Sequence, residues 1–108
     1  MAFDFDKIFR DALNAGITAA KPGGKAAEEW LRESAKANEE TLRAIAEGIL
    51  KKQISKESGE MLFRESARAL QSEAAALSVI IKATAQAAVN AFLNSLSSAL
   101  SSALKLAL

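Results

Sequence analysis

The sequence predicts an all-α protein, and three observations carry that prediction. Ala, Leu, Ser, Glu and Lys dominate its 108 residues, a helix-forming composition. One Pro and five Gly are the only strong helix breakers, and none follows Gly59. Apolar residues recur at three- and four-residue spacing along most of the chain.

The first helix is expected over about 4–20. Asp4 and Asp6 suit its start, where carboxylates cap free N–H groups and meet the positive end of the helix dipole. Phe5, Ile8, Phe9, Ala12, Leu13 and Ile17 then form one apolar stripe, which Gly16 weakens slightly. Lys21-Pro22-Gly23-Gly24 interrupts it, as an open hinge or a closed turn, because Pro disfavours helix at the preceding residue.

A second helix is expected over about 25–53. Leu31, Ala35, Asn38, Leu42, Ile45 and Ile49 alternate four- and three-residue steps, the pattern of a coiled-coil seam. Asn38 is the polar member that would set its register, and Trp30 flanks the seam. The stretch 53–59 reads as a turn, with Ser55 or Ser58 capping the next helix.

The third helix is expected over about 58–108, since nothing after Gly59 stops it. Its seam is Phe63, Ala67, Leu70, Ala74, Leu77 and Ile81. A turn centred on residue 56 pairs Ile49 with Phe63, Leu42 with Leu70 and Asn38 with Ala74. With an open hinge the same register sets Ile8 opposite Leu104, Phe9 opposite Ala103 and Leu13 opposite Ala99. The preferred architecture is therefore a single helical domain over 1–108 forming a long antiparallel helical hairpin. The alternative closes the hinge at 21–24 and gives a three-helix bundle with a projecting C-terminal helix. A continuous helix of roughly 50 residues would be about 75 Å long.

Charge is unevenly spread. Residues 1–73 hold all 13 acidic and 12 of the 14 basic residues, so residues 74–108 carry only Lys82 and Lys105. In that last third a ladder of Phe92, Leu96, Leu100, Leu104 and Leu108 runs at four-residue spacing, while Val79, Ile80, Val89, Leu93 and Leu106 lie off the seam. One antiparallel partner helix cannot cover all of them, and unmet apolar surface marks an interaction site. Residues 74–108 are thus expected to be an assembly segment, with Leu93, Leu96, Ala99, Leu100, Ala103 and Leu104 as the oligomer interface. A polar column, Ser78, Lys82, Gln86, Asn90, Asn94, Ser98 and Ser102, would line a lumen or face solvent.

The residue inventory points away from catalysis. Cys, His and Tyr are absent, which removes thiolate chemistry and the commonest general base and metal ligand. The Glu28-Glu29 and Glu39-Glu40 pairs lack the Glu-x-x-His spacing of a di-iron bundle. Lys21–Lys25 lacks the P-loop spacing and its preceding strand. No cofactor and no metal are expected. A net charge of +1 gives no bulk attraction to nucleic acid, so no sequence-specific nucleic-acid binding is expected. The opening MAFDFDKIF is acidic and does not read as a secretory signal, which places synthesis in the cytoplasm, with incorporation into a larger assembly or at a membrane afterwards.

The function expected from these features is non-enzymatic: a structural protein, partnered with itself, that builds a helical oligomer, ring or tube, such as a conduit in a virion or secretion device. The alternative is a membrane-active protein that forms a pore or coats a lipid surface, with membrane lipid as its partner. A central Lys82 costs about 2.5–3.5 kcal/mol on insertion scales and weighs against a lone span.

Overall fold

The computed structural model describes residues 3–108, with the side chain of Ile80 outside that description. All regular structure among the described residues is helical: α1 (Phe5–Ala20), a 3₁₀ turn (Lys21–Gly23), α2 (Gly24–Leu50), α3 (Lys56–Ala75) and α4 (Val79–Leu104).

The helix starts follow the capping chemistry. Asp4 accepts a hydrogen bond from the Lys7 N–H at 3.1 Å, and Asp6 sits in the first turn of α1. Ser55, not Ser58, caps α3, accepting from the Ser58 N–H at 3.0 Å. The Pro22 segment is a closed turn: Gly24 adopts φ +76°, a conformation Gly reaches without a Cβ penalty, and α2 begins at once in the opposite direction.

α2 ends at Leu50, three residues before the expected boundary. Lys52 adopts φ 59°, its N–H donates to the Ile49 carbonyl at 3.1 Å, and the Gln53 N–H donates to the Gly48 carbonyl at 2.8 Å. This is a Schellman ending with Lys where Gly is usual. Ile54 folds over Gly48 to supply the accompanying apolar contact. Lys52→Gly is therefore expected to stabilise the fold by about 0.5–1 kcal/mol, read as a raised urea midpoint at constant slope.

The early end of α2 also moves the turn centre, so the α2–α3 register differs from the expected one by about one turn. Ile49 packs directly against Gly59. Asn38 shares a groove with Ala69, and Ile45 shares it with Leu62.

The largest departure lies at residues 76–78. The expected helix over 58–108 is two helices, broken at Ala76–Ser78 without Pro or Gly. The Ala76 N–H reaches the Ser72 and Glu73 carbonyls, and Ser78, extended at ψ 153°, starts α4 by accepting from the Lys82 N–H at 2.9 Å. Ser78 makes no side-chain cap hydrogen bond, and the Val-Ile-Ile run after it favours helix less than its surroundings. A continuous helix would leave the leucine ladder in water; the break returns it onto the chain. The molecule consequently measures 43 × 25 × 20 Å, against the 75 Å rod expected for the last helix alone.

The result is an up-down-up-down four-helix bundle, neither the long hairpin nor the three-helix bundle with a projecting end. α1 packs on α2 and most closely on α4; α3 packs on α2 and α4; α2 also meets α4 across the diagonal. α1 and α4 run antiparallel, as the hairpin register requires, but in a different register. Phe9 stacks edge-on against Phe92 at 5.6 Å and 81°, instead of meeting Ala103. The core is one cluster whose most deeply buried large side chains are Phe92, Leu31, Leu42, Leu70, Leu96 and Val89. At its lower end Arg43 of α2 bonds Asp6 of α1 and Glu39, and lies over the Phe5 ring at 5.0 Å. The hydrogen bond to Asp6 raises the Arg43 pKa above its ordinary value.

Candidate interaction surface

The expected interface residues divide in this fold. Leu93, Leu96, Leu100 and Leu104 are buried within a single chain, Leu96 completely. Ala99 is half-buried and Ala103 exposed. Three further helices, not one, are available to cover α4 and they enclose the ladder, while Val79 at the start of α4 stays 87% exposed. Leu93, Leu96, Leu100 and Leu104 are therefore core residues of the single chain, and only Ala99 and Ala103 of the expected interface lie at its surface.

The polar column runs along the outer face of α4. Ser78, Gln86, Asn90, Asn94, Ser98 and Ser102 are exposed and Lys82 is half-buried. Gln71 of α3 donates to the Asn90 side chain at 3.4 Å, the column's one side-chain hydrogen bond to another helix among the described residues.

Asn38 does not pair across the seam. It is half-buried, and its Nδ2 donates to the Ser34 carbonyl of its own helix at 2.8 Å. It lines the outer groove between α2 and α3.

That groove is a pronounced concave surface between the two helices. It has a volume of about 580 Å³ and is open to solvent, with Thr41, Ala44 and Ile45 on one wall, Leu62, Ser66 and Ala69 on the other, and Ile54 at its lower end. Glu65 is the sole charged residue lining it. The small side chains of Ala44, Ser66 and Ala69 leave the space between the helices unfilled, and buried Ile45 lies at its base. Leu62 on the groove wall is 41% exposed, so it and the depression beside it form one apolar surface. Met61, 61% exposed, lies on the neighbouring face of α3 among Glu57, Glu60, Arg64, Glu65 and Arg68.

Comparison with family models, with curated proteins and with solved structures found no match.

Charge pairing distinguishes the helices. Among the described residues, four ion pairs lie within α1 or α2, among them Lys7–Asp11, Lys25–Glu29 and Arg32–Glu28, Arg43–Asp6 joins the two helices, and Lys51 just past α2 pairs with Glu47. Among the described residues, α3 contributes to none, although it carries Glu65 on the groove wall and Arg68 on the adjoining face, both exposed. No cluster of three or more acidic side chains able to hold a metal is present among the described residues. No described helix is long and apolar enough to cross a membrane.

Sequence reasoning missed this groove. The available signal was Met61-Leu62-Phe63: three consecutive apolar residues on a helix cannot share one face, so burying Phe63 turns Met61 and Leu62 outward.

Proposed function

We propose that the protein is a non-enzymatic association module that pairs with a second copy of itself through the α2–α3 groove. The observation that carries this reading is the apolar depression at buried Ile45 with the exposed Leu62 on its wall. Self-association across a two-fold axis needs one surface that offers both a hollow and a projection, and this face has the two side by side. Its charges suit the same geometry. Glu65 and Arg68 lie about one turn apart, have opposite sign and are unpaired with other described side chains, so each copy's Arg68 can meet the partner's Glu65. Self-association is thus retained from the sequence, and its location moves from α4 to α2 and α3.

Light scattering coupled to size exclusion tests it. At tens of micromolar the mass should be twice the 11.4 kDa chain. Leu62→Glu should return it to one chain with unchanged helicity, because it sets a carboxylate against an apolar surface. Arg68→Glu should weaken the dimer, and adding Glu65→Arg should restore it by exchanging both partners at once. A wild-type monomer at every concentration, or a Leu62→Glu protein that keeps the dimer mass, refutes the proposal.

A further inference from the structure

Residues 105–108 turn back from the end of α4 onto α3. Lys105 takes the left-handed conformation at φ 56°, and the Leu106 N–H donates to the Ser101 carbonyl at 3.2 Å, which closes α4. Ala107 is then gripped at both of its main-chain polar atoms. Its N–H donates to Glu60 Oε2 at 2.7 Å, and its carbonyl accepts from Arg64 Nη2 at 2.8 Å. Leu106 and Leu108 are half-buried against the core, while Ala107 between them is exposed. Alternate side chains turned in and out are the pattern of an extended segment.

Glu60 and Arg64 stand four residues apart, the spacing and order at which a glutamate and an arginine pair well on a helix. They form no ion pair with each other or with any other described residue; both are engaged by Ala107. Charge-assisted hydrogen bonds of this kind read the backbone and ignore the central side chain, so selection falls on the apolar residues either side. The arrangement matches how extended peptides are bound in general: main-chain polar atoms give affinity and alternate side chains give specificity.

We propose that Glu60 and Arg64 form a main-chain-binding site for an extended segment with leucine at alternate positions, and that residues 106–108 fill it as a releasable strap. Release is built into the contacts. Both hydrogen bonds are exposed, and Lys105 holds the strap in a conformation that non-Gly residues seldom adopt. On opening, Glu60 and Arg64 are free to pair with each other, and the part of the core beneath Leu106 and Leu108 becomes accessible.

Amide hydrogen exchange on the full-length chain, read residue by residue by NMR, tests the strap. The Ala107 amide should exchange about tenfold more slowly than its intrinsic rate. Glu60→Ala or Arg64→Ala should each remove several-fold of that protection, while the Val89 amide in the core keeps its own. Glu60→Gln, which retains an acceptor oxygen, should restore most of it. Leu106→Ser with Leu108→Ser should release the strap with Glu60 and Arg64 intact. Exchange of Ala107 at its intrinsic rate in the wild-type protein overturns the proposal. So does protection that survives Glu60→Ala and Arg64→Ala, or that is lost in Glu60→Ala together with Val89 protection and not restored by Glu60→Gln.

Discussion

Leu96→Ser combined with Leu100→Ser is expected to unfold the protein, not to separate folded chains. Leu96 is fully buried and Leu100 is 2% exposed, both inside one chain. Truncating a buried leucine to alanine costs about 2–5 kcal/mol through lost transfer energy and the cavity left behind. A serine adds about 1–3 kcal/mol for a buried hydroxyl without a partner. The two sites lie one turn apart on α4 and share neighbours, so the costs do not simply add. Even discounted, they approach the whole stability of a small domain, about 5–15 kcal/mol. Far-UV circular dichroism should show lost helix at room temperature or a midpoint lowered far beyond that of Asn94→Ser, an exposed change on the same helix expected to stay within about 0.5 kcal/mol. A double variant that keeps its helicity and melting point while its mass falls would return the ladder to the role of an interface.

This outcome separates what the sequence could convey from what it could not. Helix type was legible throughout, since composition and periodicity agree from Asp4 to Leu104. Caps at Asp4 and Ser55 were legible because carboxylate and hydroxyl side chains satisfy the free N–H groups at a helix start. The break at Ala76–Ser78 was not legible from breakers, because there are none. It arises from tertiary packing: folding α4 back buries Phe92, Leu96, Leu100 and Leu104 against three helices, a gain that no local propensity records. The early end of α2 was hidden for a related reason. Lys52 and Lys105 both adopt the left-handed conformation in which Gly is the usual signal, and so the turns they make look like continuing helix.

The uncharged last third held the central ambiguity. Low charge and abundant leucine describe equally a helix that meets other copies and one enclosed by its own chain. Counting partner helices decides between them, and that count depended on the break at 76–78. Once α4 stands alone, its polar column lies along the exposed face and its ladder faces inward, as in any amphipathic helix of a bundle. The α2–α3 groove was less accessible still. Its walls are Ala44, Ser66 and Ala69, and small residues on a helix give no sign from sequence of whether a neighbour fills the space beside them.

Gly16→Val is expected to lower stability by about 3 kcal/mol, or roughly 15 °C in melting temperature. Helix propensity alone gives the opposite sign, because glycine inside a helix is among the least favourable residues and valine is better. Packing reverses it. A Cβ at Gly16 would stand 2.6 Å from Leu31 Cδ2, 3.1 Å from the Ala88 carbonyl oxygen and 3.2 Å from Phe92 Cβ. The leucine methyl can swing aside, but the Ala88 carbonyl is backbone and moves only if α4 moves. Ala12, Gly16 and Ala20 on α1 lie in a row with Ala85 and Ala88 across from them, all buried, and that pairing of small residues is what lets these two helices approach so closely. Valine adds two methyls beyond the Cβ and forces the pair apart, with the edge-on contact between Phe9 and Phe92 lost as well. Gly48→Ala is the matched control. Its new Cβ meets only the Ile54 side chain, at 3.2 and 3.3 Å, so the propensity gain should survive and stability should hold or rise. Thermal melts should therefore show a large drop for Gly16→Val and none for Gly48→Ala. A Gly16→Val protein that melts at or above the parent would mean that α1 and α4 are not held at backbone contact, and the bundle would then lack the packing on which the burial of α4 depends.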